Sequence, residues 1–356
     1  MRRLLVVLLL VGLGAFVVRG GVPCEAVELQ PGCYIALKPG PIEDAASLVD
    51  VRDVSSFASS GQLLLTTVAV EEELGLTDWA RAAISASVET VPRTVLFPSG
   101  ADREEVSRQN TAMMVDSQLT ATVAALRTAG YEVADEFVGA RVQELLTGRA
   151  EDALEVGDVI VAVDGSPVAD SAEVVEAVQR RAPGDTVTLT VRDGSEQRDV
   201  EVELGAAPQD PQQPFLGVLL VSHLDLPVDV AIDAGIIGGP SAGLMFALSI
   251  LDLLDPEDLT GGAVIAGTGS LEADGTVGSV GGVRQKVVGA TEVEGDQRPA
   301  SVFLVPRGNL EQVSDLAVGR DLLVVPVDTL EDALEAVGDV REGRDPRGAL
   351  ALEAGD

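Results

Sequence analysis

The chain has 356 residues, enough for two or three domains of about 100 to 200 residues each. Its 46% hydrophobic content makes it too apolar for a disordered chain, and the 3% aromatic content leaves aliphatic side chains to build the cores. The formal net charge of −34 argues against nucleic acid or an anionic membrane face as partner, since either needs clustered Lys and Arg.

Met1-Arg2-Arg3 precedes an apolar run from Leu4 to Val18, a targeting element with its positive end first. The remainder of the chain is therefore expected outside the cytoplasm. The run falls between a signal-peptide core and a full membrane helix in length. No Ala-x-Ala cleavage site follows it, so an uncleaved single-pass membrane anchor over 1–22 is favoured over a removed signal peptide. Cys24 and Cys33, the only two cysteines, either close a disulfide loop in an oxidising compartment or stay as unpaired thiols.

Residues 23–136 read as a strand and helical region. Gln62 to Val70 is a buried strand by its β-prone apolar run. Met113, Met114, Ser117, Ala121, Ala124 and Ala125 recur at helical spacing and stop at Gly130, a C-terminal helix signal. Both methionines are expected as core filler. Lys38, in Leu37-Lys38-Pro39-Gly40, reads as part of a turn.

Residues 137–205 form a small β unit. Val138 to Val142 and Leu154 to Val163 read as strands, Asp164-Gly165 as a turn, Ser171 to Arg181 as a helix and Val187 to Val191 as a strand. This pattern resembles the PDZ domains attached to extracytoplasmic proteases. The resemblance implies that backbone amides around Val138, Gly139 and Ala140 receive the carboxylate of a C-terminal peptide ligand, which adds as a strand beside the helix. Val174 and Val178 are then expected to face that groove. On a bland reading the same residues only pack a small core.

Residues 206–214, rich in Pro, Gln and Asp, read as a linker. The chemistry is expected in 215–340. Gly238-Gly239-Pro240-Ser241-Ala242-Gly243 places a serine where a glycine-lined turn enters an apolar helix. The free N–H groups of a helix start are available to a developing oxyanion there. A serine at that place also serves as a helix N-cap. Lys286 is one of only two lysines in a chain that otherwise uses arginine. A guanidinium cannot act as a base, whereas a buried lysine amine can lose its proton. Three and four residues from Lys286 stand Gly282, Val283, Gly289 and Ala290, a small apolar helical face with no carboxylate. Such a lysine either snorkels to water or is held neutral. Thr268 ends an apolar strand from Ala263 and is placed to hold the amine.

Together the Gly-Pro-Ser-Ala-Gly run, Thr268-Gly269, Gly281-Gly282 followed by Lys286, and Val305-Pro306-Arg307-Gly308-Asn309 resemble the Lon proteolytic domain in composition and order. With the anchor and the PDZ-like unit, the chain resembles membrane-anchored, PDZ-containing Lon-like proteases. The resemblance implies Ser241 as nucleophile, Lys286 as general base, Thr268 as the residue orienting the lysine, and Gly281 or a neighbour as an oxyanion donor. Asn309 is expected to cap the helix after it. Gly238 departs from the aspartate usual in ATP-dependent relatives, and the chain holds no Gly-x-x-x-x-Gly-Lys phosphate loop.

The single histidine, His223, with Asp225 and Asp229 behind it, offers a rival base for Ser241. One histidine and two cysteines exclude an ordinary zinc site, and no metal or cofactor is expected. The expected fold class is α+β: an N-terminal anchor, a small strand and helical region, a PDZ-like β domain, a C-terminal α/β Lon-type domain and an acidic tail over 341–356. The expected activity is an extracytoplasmic, ATP-independent serine endopeptidase acting on unfolded or PDZ-selected protein substrates, with a homo-oligomer implied by resemblance only. The competing readings are a catalytically silent PDZ adaptor that binds peptides and a protease specific for one partner.

Overall fold

The computed structural model describes residues 33–346 apart from 73, 75–81, 83–86, 98–102, 147–149, 151–152, 195, 208–209, 293–297 and 317–321. The expected anchor over 1–22, Cys24 and the end of the tail at 347–356 lie outside the described residues. Among the described residues no helix is long and apolar enough to cross a membrane. Cys33 is buried and disulfide-bonded.

The chain folds as two units. One takes the described residues up to Gly130 and resumes at Val228; the other is Tyr131–Pro227. In chain order the first unit opens with β1 (Tyr34–Asp44), β2 (Val49–Arg52), β3 (Gln62–Glu71), β4 (Glu89–Pro92) and α1 (Arg103–Thr128). The second contains β5 (Ala140–Leu145), β6 (Val159–Val163), α2 (Ser171–Gln179), β7 (Thr186–Asp193), β8 (Glu196–Glu203) and β9 (Val218–Ser222). The first unit then continues with β10 (Asp229–Ile232), α3 (Gly243–Leu254), β11 (Val264–Gly267), α4 (Val283–Thr291), β12 (Val302–Pro306), β13 (Leu323–Val327) and α5 (Leu330–Arg341).

The expected separation of 23–136 from 215–340 is corrected here, because both build one sheet. Its strand order is β13-β12-β11-β3-β1-β4. The first four strands run parallel, and β1 and β4 continue the sheet antiparallel. Leu64, Ala266, Phe303 and Val305 point to one face, where Val283, Val287, Val288 and Ala290 of α4 pack on them. On the opposite face a Cβ on Gly267 would stand 2.6 Å from Met245 Sδ of α3, so glycine lets that helix lie close to the sheet. Wedged among the sheet, α1 and α5, α3 is apolar around most of its circumference rather than along one stripe.

α1 ends as its sequence signals, with Gly130 at φ 87 in the left-handed region. Met114 on this helix is buried, but Met113 is 39% exposed, so only one of the two methionines fills the core. Lys38 lies in β1 rather than in a turn, and its amine pairs with Glu71 on β3. The Pro39-Gly40 break appears as a register shift between Pro39 and Ile42, a bulge inside a continuing strand.

In the second unit the strands pair antiparallel in the order β9-β5-β6-β7-β8. α2 is capped by Asp170, whose carboxylate accepts from Glu173 N at 2.8 Å. Val174 and Val178 from this helix join Val142, Ile160, Leu189, Val191 and Leu204 in the core.

Candidate active site

The nucleophile turn is shaped by its glycines. Gly239 sits at φ 85, which a side chain rarely adopts. A Cβ on Gly243 would stand 3.0 Å from both Leu271 N and Ser117 Oγ, so this glycine makes room for the protein's own neighbours rather than for an incoming substrate. α3 begins at Gly243 with Ala242 in the N-cap position and no side-chain cap, so Ser241 is not capping the helix.

Its hydroxyl has another partner. Lys286 Nζ donates to Ser241 Oγ at 2.6 Å and to Thr268 Oγ1 at 2.8 Å. Lys286 reaches them from α4, whose N-cap, Gly282, is left-handed at φ 64. Thr268 follows directly on β11, at the carboxyl edge of the parallel strands, where open α/β sheets place their sites. The Thr268 hydroxyl donates onward to Ser241 O at 3.0 Å, and Gly269 N donates to the same oxygen at 3.0 Å. Serine, lysine and threonine are thus tied into one network.

Lys286 is 3% exposed and Thr268 1%. Burial alone pulls the lysine amine from its ordinary 10.5 down to about 7, because an ammonium loses hydration without gaining a carboxylate. At neutral pH a substantial share of the amine is uncharged and able to accept a proton.

The backbone around Ser241 has a defined orientation. Pro240 O accepts from Ser117 Oγ at 3.0 Å, and Ser241 O is held by Thr268 and Gly269. Among the described residues no peptide bond is cis, so the N–H of Ser241 and that of Ala242 point away from those acceptors. Neither amide has a hydrogen-bond acceptor among the described residues.

Not every expected residue joins this network. A Cβ on Gly281 would meet no atom within 4 Å, so the space beside this glycine is open. Asn309 does not cap its helix. It is buried, and its side-chain amide brackets Val280, accepting from Val280 N at 2.8 Å and donating to Val280 O at 3.0 Å, which fixes the loop leading into α4. His223 belongs to the second unit, where its Nε2 stands 3.3 Å from Asp225 Oδ1. Burial, then the Arg141 charge, holds it below its ordinary value.

The expected peptide cradle is also corrected. Val138 N donates to His223 O at 2.9 Å and Gly139 N to Ala169 O at 2.8 Å, so both amides are already used. Ala140 pairs with Ser222 on one side and Ile160 on the other, inside the sheet, where no chain end can add. Of the two edge strands of that sheet, β9 and β8, the one beside α2 is β9. It follows Phe215-Leu216-Gly217, with Gly217 at φ 86, and the amides of Leu216 and Gly217 have no partner among the described residues. α2 lies beside β9: Ser171 N and Oγ stand 3.3 and 3.1 Å from Ser222 Oγ. One turn on from Ser171, Val175 is 45% exposed, whereas Val174 is fully buried.

Comparison with known proteins matches both units. The family model of the Lon protease (S16) C-terminal proteolytic domain matches residues 220–338, and the PDZ domain model matches 128–204. The Lon protease of Xanthomonas oryzae pv. oryzae is 26% identical over 214 residues, which are 59% of this chain and 24% of that protein. A probable periplasmic serine endoprotease, DegP-like, from Bartonella henselae is 33% identical over 76 residues, 21% of this chain and 15% of that protein. The chain therefore spans no more than 24% of either relative. Among solved structures, the PDZ domain of the SdrC-like protein from Listeria monocytogenes is 26% identical, covering 26% of this chain and 94% of that domain with a TM-score of 0.23. On these matches, the chain combines a PDZ domain with a proteolytic domain of the Lon type.

Proposed function

We propose that this chain is a serine endopeptidase in which Ser241 is the nucleophile and Lys286 the general base. The observation that carries this reading is the 2.6 Å contact from Lys286 Nζ to Ser241 Oγ at a lysine only 3% exposed. Uncharged Lys286 removes the hydroxyl proton as Oγ attacks a peptide carbonyl carbon. The carbonyl oxygen becomes an oxyanion, and the outward amides of Ser241 and Ala242 are the donors placed to meet it. The ammonium then gives its proton to the leaving amine as the C–N bond breaks. Water, deprotonated by the same lysine, opens the acyl-enzyme. Thr268 keeps the amine directed at Oγ throughout.

The peptide ligand of the PDZ domain is assigned to the exposed edge of β9. Phe215-Leu216-Gly217 offers free amides to a terminal carboxylate, and the Ser171-Val175 stripe of α2 forms the opposite wall. With no phosphate loop of its own, the chain cleaves unfolded or groove-selected segments without hydrolysing ATP. The arginine-first apolar run and the bonded Cys33 favour work outside the cytoplasm, at or released from a membrane.

Wild-type protein and Ser241→Ala compared on unfolded casein test the enzymatic reading. Cleavage that disappears in the variant supports it; equal cleavage by both assigns the nucleophile elsewhere, and cleavage by neither favours a peptide-binding adaptor.

A further inference from the structure

α1 lies wholly outside the residues that match the Lon proteolytic domain, and the PDZ domain separates it from them in sequence. Yet it holds the nucleophile turn at two points. Asn110 O accepts from Gly239 N at 2.9 Å, and Ser117 Oγ donates to Pro240 O at 3.0 Å.

The other hydroxyls bonded on this helix behave differently. Thr111, Thr120, Thr122 and Thr128 each donate back to the carbonyl four residues earlier on the same helix, the ordinary resting place for a helical hydroxyl. Ser117 instead reaches a carbonyl 123 residues away. It is 4% exposed, and the absent side chain of Gly243 is what admits it.

We propose that Ser117 is a positioning residue for acylation, an inference that rests on Ser241 being the nucleophile. Its hydrogen bond fixes the plane of the Pro240–Ser241 peptide. Because that peptide is trans and planar, fixing the carbonyl toward α1 also fixes the Ser241 N–H on the opposite side, where the oxyanion forms. Thr268 and Gly269 orient the next peptide in the same way. Without Ser117 the carbonyl of Pro240 keeps only a 3.4 Å contact from Gly243 N, and the plane is free to rock.

The test is single-turnover labelling of Ser241 by a fluorophosphonate and by a peptide ester, in the full chain, with wild type and Ser117→Ala. The expected result is an acylation rate roughly tenfold lower, the scale of one net hydrogen bond, with KM and the melting temperature nearly unchanged. The pH midpoint of the rate should stay near the wild-type value, because Lys286 remains buried. An unchanged rate overturns the proposal. So does a rate loss accompanied by a large fall in melting temperature and a rise of the midpoint, which marks a general loosening of the site. Failure of the reagents to label Ser241 in the wild type overturns the nucleophile assignment itself, a result distinct from either.

Discussion

A lysine buried without a counter-charge should destabilise the protein that uses it, and this can be measured apart from activity. Lys286 has an ordinary value of 10.5 in the unfolded chain and about 7 in the folded one. The unfolded chain therefore binds more protons between those values, and stability rises with pH through that window. The deficit is complete below about 7 and absent above about 10.5. At 1.36 kcal/mol per tenfold, it amounts to about 5 kcal/mol when fully developed. Lys286→Met keeps most of the side-chain volume and removes the charge. At pH 7 the folded amine is half titrated and the deficit is about 4 kcal/mol; the variant also loses the two hydrogen bonds to Ser241 and Thr268, at about 1 kcal/mol each, which leaves a net gain of about 2 kcal/mol there. For a domain of about 150 to 250 residues this raises the melting temperature by roughly 4 to 8 °C. Calorimetry of both proteins from pH 6 to 10.5 should show the variant more stable at neutral pH and the gap shrinking as pH rises. A variant that is no more stable at pH 7, or a gap that does not change with pH, would refute a desolvated amine.

The remaining predictions concern the groove and the compartment. Val175→Asp places a charge on the exposed wall of the proposed groove and should weaken binding of a peptide with a free C-terminal valine at least about tenfold in fluorescence anisotropy, with little change in melting temperature. Equal affinity for the free and the amidated peptide, or no effect of the substitution, assigns the ligand to another surface. In the native host, thiol labelling with and without prior reduction should find Cys33 blocked until reduced and the chain outside the cytosol. Recovery in the cytosolic fraction with a free Cys33 thiol contradicts the extracytoplasmic reading.

How much of this was legible in the sequence depends on the range of the interaction involved. The strand over Gln62–Glu71 and the helix ending at Gly130 follow from periodicity and punctuation, which are local. Lys286 was conspicuous because the chain spends arginine elsewhere, and its small apolar neighbours announced a dry setting. Sheet order is not local. The segment Val138 to Leu145 alternates like an edge strand, and nothing within it reveals that β9, more than seventy residues later, covers it. The same gap in information moved the expected domain start to residue 215, ahead of a strand that belongs to the PDZ domain's sheet. Gly217 next to the apolar run Val218-Leu219-Leu220-Val221 was the available signal for the edge, of the same kind as the glycine at 139. Lys38-Pro39-Gly40 carries turn residues, but pairing of β1 with β3 on both sides absorbs them as a bulge. Ser117 acts through one hydrogen bond to backbone 123 residues away, and Asn309 through a pair of hydrogen bonds to backbone 29 residues away. Ser117 sits in a helical repeat that reads as core, and Asn309 at a place that reads as a cap.

The pH dependence of Ser241 acylation under single-turnover conditions tests the account most directly. An uncharged lysine at the hydroxyl predicts a rate that climbs through a midpoint near 7 and is flat above it, and that is lost in Lys286→Arg. A rate still rising toward the roughly 10.4 of an ordinary lysine, or one that survives Lys286→Arg, would contradict it.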